Sequence, residues 1–155
     1  MKILVIRFSS IGDIVLTTPV VRAVHDQVEG AKVHFVTKKQ YRSIVDANPY
    51  IHKVHVLDNS FERLLKELGK EQFDFIVDLH KNIRSYRAIS YLRVRSSSFR
   101  KLNFKKWLLV NFKINLLPDM HIVDRYFEAV KPLKVNNDGR GLNFFIPDGI
   151  EKATI

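Results

Sequence analysis

With 155 residues, 46% of them hydrophobic, the chain is long enough for one domain with a proper core and short for two. It has no cysteine, which excludes disulfide frameworks, thiolate metal sites and cysteine nucleophiles and fits a reducing, cytoplasmic setting. The formal net charge is +10, and it is local: from Leu79 to Pro118 there is no Asp or Glu, while Lys81, Arg84, Arg87, Arg93, Arg95, Arg100, Lys101, Lys105, Lys106 and Lys113 all fall there. The other 16 Lys and Arg equal the 16 Asp and Glu, so this one segment carries the whole excess. It points to an anionic partner, with a solvated basic face as the plain alternative.

In chain order, Lys2 to Arg7 is an apolar, β-branched run ending in Ser-Ser-Ile-Gly-Asp, the pattern of a buried strand followed by a tight turn. Arg7 interrupts the run and no small-residue cleavage site follows, so the N-terminus reads as a strand and not as a signal peptide. A helix is expected from Ile14 to Val28, with Pro19 either kinking it or marking a new first turn. Lys32 to Thr37 alternates like a second strand, Gln40 to Ala47 suits a short helix, and Lys53 to Leu57 reads as a third strand. Ser60 can cap a helix from about Phe61 to Gly69, the glycine serving as its stop. A fourth strand follows from Phe73 to Leu79, flanked by Asp74 and Asp78, whose DxxxD spacing suits strand start and strand exit, not a metal-binding DxD pair.

Beyond it the pattern predicts a helix from Ile83 to Leu92, a strand within Ser97 to Leu102, helices in Phe104 to Phe112 and Ile122 to Lys131, and a last strand at Asn143 to Ile146. Strands separated by helix-sized segments imply a doubly wound α/β domain with a parallel sheet covered on both faces. No apolar run approaches the roughly 18 to 20 residues that span a bilayer. The segment Phe104 to Lys113 mixes cations with Trp107, Leu108, Leu109 and Phe112; it reads either as a helix lying on anionic headgroups or as one whose apolar stripe faces the core.

In such sheets ligands bind outside the carboxyl ends of the strands. The first turn there, Ser9-Ser10-Ile11-Gly12-Asp13, lacks GxGxxG and lacks the lysine of a P-loop, which argues against a dinucleotide or a triphosphate. Gly12 suggests close backbone approach or an unusual φ. Asp13 is acceptable as a general base for a hydroxyl; equally it suits a helix N-terminal acid. Ser9 and Ser10 can bond a substrate or their own backbone. His80, Lys81, Asn82 and Arg84 follow the fourth strand and belong to the same rim. Arg84 and Arg87, three apart on a helix, suit phosphates or sugar carboxylates or are ordinary exposed cations. His121 opens a helix and is a weaker substrate-contact candidate.

The stretch Arg7 to Val24 (RFSSIGDIVLTTPVVRAV) resembles the opening of glycosyltransferase family 9, the ADP-heptose:lipopolysaccharide heptosyltransferases. His34 to Asp58, Asp78 to Ser85 (DLHKNIRS) and His121 to Val130 are similar to later segments of that family, so the likeness covers nearly the whole chain. The resemblance implies a Rossmann-like α/β domain, the N-terminal half of a GT-B enzyme, with residues 1–155 forming a single acceptor-side domain and the donor-binding C-terminal domain absent. It implies Asp13 as catalytic base of an inverting heptose transfer from ADP-heptose to the lipopolysaccharide inner core, without a metal or a resident cofactor. The implied partners are an anionic glycolipid acceptor and a nucleotide sugar, at the inner face of the cytoplasmic membrane. This piece alone is expected to be inactive. The alternative is a basic nucleic-acid-binding or structural partner module. Tyr86, Tyr91, Phe99 and Trp107 are its candidate stacking groups, and no recognised nucleic-acid motif supports it.

Overall fold

A computed structural model of the chain describes residues 1–100 and 122–146. Five strands, β1 (Lys2–Ile6), β2 (Lys32–Lys38), β3 (Lys53–Leu57), β4 (Phe75–Asp78) and β5 (Ser96–Ser98), form one sheet in the order β3-β2-β1-β4-β5. All four pairings are parallel, as expected for the doubly wound class. The order runs outward in one direction through β2 and β3 and in the other through β4 and β5. The chain therefore changes direction between β1 and β4, the place where sheets of this kind open a crevice.

Period-two alternation sends successive residues of β1 to opposite faces. Ile3 and Val5 join Val33, Phe35, Phe75 and Val77 beneath α1 (Ile11–Leu16), α2 (Thr18–Gln27) and α6 (Ile122–Phe127). Leu4 and Ile6 join Val36 and Ile76 beneath α4 (Phe61–Glu71), whose Leu64, Leu65 and Leu68 fill the other face with Ala88 of α5 (Ile83–Leu92). A short 3-10 turn at Lys39–Tyr41 leads into α3 (Arg42–Asp46), and only its Val45 is buried.

Several elements differ from expectation for local reasons. The first helix is two: α1 ends at Leu16 and α2 begins at Thr18, with Pro19 in its first turn. The Thr17 and Thr18 hydroxyls donate to the carbonyls of Ile14 and Val15 at 2.6 and 2.7 Å, completing the break. Gly69 does not stop α4, which runs on to Glu71 and closes on Gln72 at φ +57°. The glycine lies close to a neighbouring ring there, since a Cβ would come within 3.3 Å of Tyr91. The last helical stretch tightens after Phe127 into a 3-10 segment, Glu128–Leu133, that contains Pro132.

Asn143 to Ile146 is not a strand. Its Asn143 amide donates to the Thr18 hydroxyl at 2.9 Å and the Phe145 ring meets Tyr50, so the segment packs on the helical layer and not in the sheet. The strand expected within Ser97 to Leu102 is three residues long, Ser96–Ser98. The helix expected at Phe104 to Phe112, with its membrane-facing or core-facing choice, and His121 lie outside the described residues.

Candidate active site

The turn after β1 holds Asp13 at the rim. Ser10 caps α1, and both its amide and its hydroxyl donate to Asp13 Oδ2, at 3.3 and 2.8 Å. Arg7 Nη2 lies 2.9 Å from the same oxygen while Arg7 Nη1 donates to the Leu79 carbonyl at 2.7 Å. One guanidinium thus ties the β1 turn to the end of β4. The Asp13 side chain keeps 39% of its surface open and Arg7 only 13%, so the carboxylate faces solvent and its clamp does not. Partial burial pushes the Asp13 carboxyl up, but the Ser10 hydroxyl bond and the Arg7 charge outweigh it and leave it below the ordinary carboxylate value. In the sequence Arg7 reads only as the end of a strand; its role follows from β1 and β4 being neighbours.

Gly12 does not have the unusual φ expected as one of its two possible roles. It lies within α1, is not among the positive-φ glycines, and a Cβ there would meet no protein atom within 4 Å. The space in front of it is open. Ser9 is half-buried beside exposed Ser10.

The turn after β4 is built around a buried acid. Asp78 Oδ1 accepts from the amides of His80 and Lys81 at 3.0 and 2.8 Å, folding the chain back over the strand end. His80 then packs edge-on against Phe8 at 5.4 Å, joining this turn to the first. Lys81 sits at φ +56° and its ammonium donates to the Phe99 carbonyl at 2.9 Å. Asn82 caps α5: its Oδ1 accepts from the Ser85 amide, and its own amide donates to the Ser85 hydroxyl, both at 2.9 Å. Asp13, Ser10, Arg7 and His80 are therefore gathered in adjoining turns, whereas Lys81 and Asn82 are occupied in shaping the loop.

The described cations of the basic segment do not form a single shelf. Arg84 is exposed and lines an open polar cleft of about 290 Å³ with Lys38, Lys39, Gln40 and Asp58, at the carboxyl ends of β2 and β3. Lys38 and Lys39 had no signal in the sequence; only the sheet order carries them to Arg84. Arg87 is engaged elsewhere, over the Phe61 ring at 4.8 Å and against Glu62 at 3.3 Å. Arg93 and Arg95 follow α5 and precede β5, at the amino ends of the strands, away from Asp13. Of the aromatic groups named for nucleic-acid stacking, Tyr86 and Tyr91 are exposed but Phe99 is buried against Tyr126 in the core.

No family model matches the chain. Lipopolysaccharide heptosyltransferase 1 of Campylobacter coli is 24% identical over 135 residues, 81% of this chain and 40% of that protein. A glycosyl transferase family 9 structure from Veillonella parvula superposes with TM-score 0.72 at 20% identity, over 94% of this chain and 44% of its own. The chain shares the fold of the matched half of that structure. The E. coli heptosyltransferase WaaC with ADP-2-deoxy-2-fluoro heptose shares this fold with TM-score 0.67 at 18% identity, over 91% of this chain and 51% of its own. E. coli ADP-heptose lps heptosyltransferase II does so with TM-score 0.64, over 83% and 40%. The chain thus resembles the heptosyltransferases and spans about half or less of the proteins it matches.

Proposed function

We propose that this chain is the acceptor-side half of an inverting heptosyltransferase, with its donor-binding half outside these 155 residues. The observation that carries the proposal is a half-exposed carboxylate, Asp13, kept ionised by Ser10 and Arg7 at the crevice of a family 9 fold. In this reading Asp13 takes the proton of an acceptor sugar hydroxyl as that oxygen attacks the anomeric carbon of the donor heptose. The new glycosidic C–O bond forms as the bond to the diphosphate breaks, and ADP leaves with the electron pair. The open space before Gly12 admits the substrate to the α1 backbone. Ser9 belongs to the same turn, His80 packs on Phe8 just before it, and Arg84 with Lys38 and Lys39 offers charge to an anionic group of the acceptor.

Lys81 and Asn82 act by holding the β4 loop, and Arg87 by holding α5 against α4. The acceptor is the inner core of lipopolysaccharide, a glycolipid, so the enzyme works in the cytoplasm beside the membrane. Among the described residues no helix is long and apolar enough to cross a membrane. No metal is required for this step. The test is release of ADP from ADP-heptose by the intact protein that contains this chain, with and without heptose-free lipopolysaccharide core. Acceptor-dependent release is expected; an intact, folded protein that releases none overturns the proposal.

A further inference from the structure

At the amino ends of the strands, opposite Asp13, lies a buried group of side chains that the transfer reaction does not use. His34 of β2 and His55 of β3 point to the face covered by α4, stacked at 5.2 Å between ring centres and 1% and 0% exposed. Phe73 stands edge-on to both. Glu67 and Glu71 of α4 close the group from above, and exposed His52 stands 5.6 Å from the His34 ring. We propose that His34, His55 and Glu71 bind one divalent transition-metal ion of the zinc type, which clamps the β2–β3 edge to the end of α4.

Three observations support the site. One ligand atom from each of the three residues lies within 4.8 Å of the others. His34 Nδ1 and His55 Nε2 are 2.9 Å apart, and two nitrogens held about 2.0–2.1 Å from one ion are separated by about 2.9–3.4 Å. His55 Nδ1 lies 2.7 Å from Glu67, the outer carboxylate that fixes a metal-binding imidazole with its Nε2 lone pair facing inward. Without an ion, donation from His55 Nδ1 to Glu67 leaves His55 Nε2 to accept from His34 Nδ1.

Glu71 is held by two cations, the ammonium groups of Lys2 and Lys53. These same ammonium groups, Lys53 and Lys2, would compete with an ion for Glu71, and both side chains are partly exposed. Competition gives the proposal a consequence that ordinary core packing lacks: removing a lysine should tighten binding.

The test is titration of the tag-free, chelator-stripped 155-residue chain with Co²⁺ and Zn²⁺, read by cobalt absorption and by melting temperature. One saturable equivalent and a raised melting temperature are expected. His34→Gln and His55→Gln should lose the binding, Glu67→Gln should weaken it about 10- to 100-fold, and Lys53→Gln should strengthen it. His25→Gln, at an exposed position near the end of α2, should leave it unchanged. Absence of saturable binding, or binding that persists in folded His34→Gln, overturns the site. If His34→Gln does not fold, exposed Lys53→Gln still decides: unchanged or weaker affinity overturns the proposal.

Discussion

Asp13 is acted on in opposite directions. Partial burial raises its proton affinity, while Ser10 and Arg7 lower it, and the lowering wins. The result favours readiness over strength: a carboxylate ionised at neutral pH, but a weaker base than an isolated one. If the acid limb of kcat/KM reports Asp13, Arg7→Gln should move that limb to higher pH, because the carboxylate loses a cation 2.9 Å away. A pH–rate profile checks this; a limb that stays in place means that another group sets it. Arg7 also shows why the sequence points to the candidate base but not to its clamp. Asp13 stands out in a polar turn, whereas Arg7 acquires its role from Leu79, 72 residues away.

At the scale of elements, the fold is held by a few contacts with clear costs. Arg22 of α2 is fully buried and makes a forked pair with Asp138, both bonds 2.7 Å, plus a bond to the Gly141 carbonyl. The Arg22 hydrogen bond is the main cause that lowers Asp138 to about 2, against burial. A depressed acid contributes stability above its unfolded value and loses it as pH falls through the folded one. The pair should therefore contribute fully above about pH 4 and lose about 2 kcal/mol toward pH 2. Asp138→Ala, which strands a buried guanidinium, should cost about 3–5 kcal/mol in urea unfolding at pH 7 and flatten that acid limb relative to the parent chain. A loss under 1 kcal/mol would remove Asp138 from the account.

Gln72 offers the opposite change. It closes α4 at φ +57°, a region that costs a side-chain-bearing residue roughly 1–2 kcal/mol and glycine little. Gln72→Gly should raise stability by about 0.5–1 kcal/mol by the same measurement, and a loss would mean that the Gln72 side chain contributes more than its backbone strain costs.

These elements also show what the sequence could and could not reveal. β3 and α5 fall at their expected bounds, because KVHVL alternates and Asn82 caps its helix. Gly69 misleads because glycine both ends helices and makes room for rings, and only the fold shows Tyr91 beside it. Asn143 to Ile146 misleads because an apolar run that covers helices has the composition of a strand.

Across the whole molecule, charge is sorted by topology and not by sequence. The run from Lys81 to Arg100 goes from the carboxyl ends of the strands, back along α5, to the amino ends and forward again through β5. Neighbours in sequence such as Arg84 and Arg95 therefore end on opposite edges, while Lys38, Lys39 and Arg84 converge. An acceptor seated at the Asp13 rim should distinguish them. Arg84→Glu is expected to raise the acceptor's KM about 3- to 10-fold, and Arg95→Glu to leave it near the parent value. Equal effects would indicate attraction to net charge alone, the behaviour of the basic-module alternative.

The central claim is that the Asp13 carboxylate accepts the proton of the attacking hydroxyl. Its most direct measurement is the kcat of the intact protein carrying Asp13→Asn, with melting temperature compared to show that the fold is retained. A fall of about 10²- to 10⁴-fold at an unchanged melting temperature is predicted; turnover equal to that of the parent enzyme would contradict the claim.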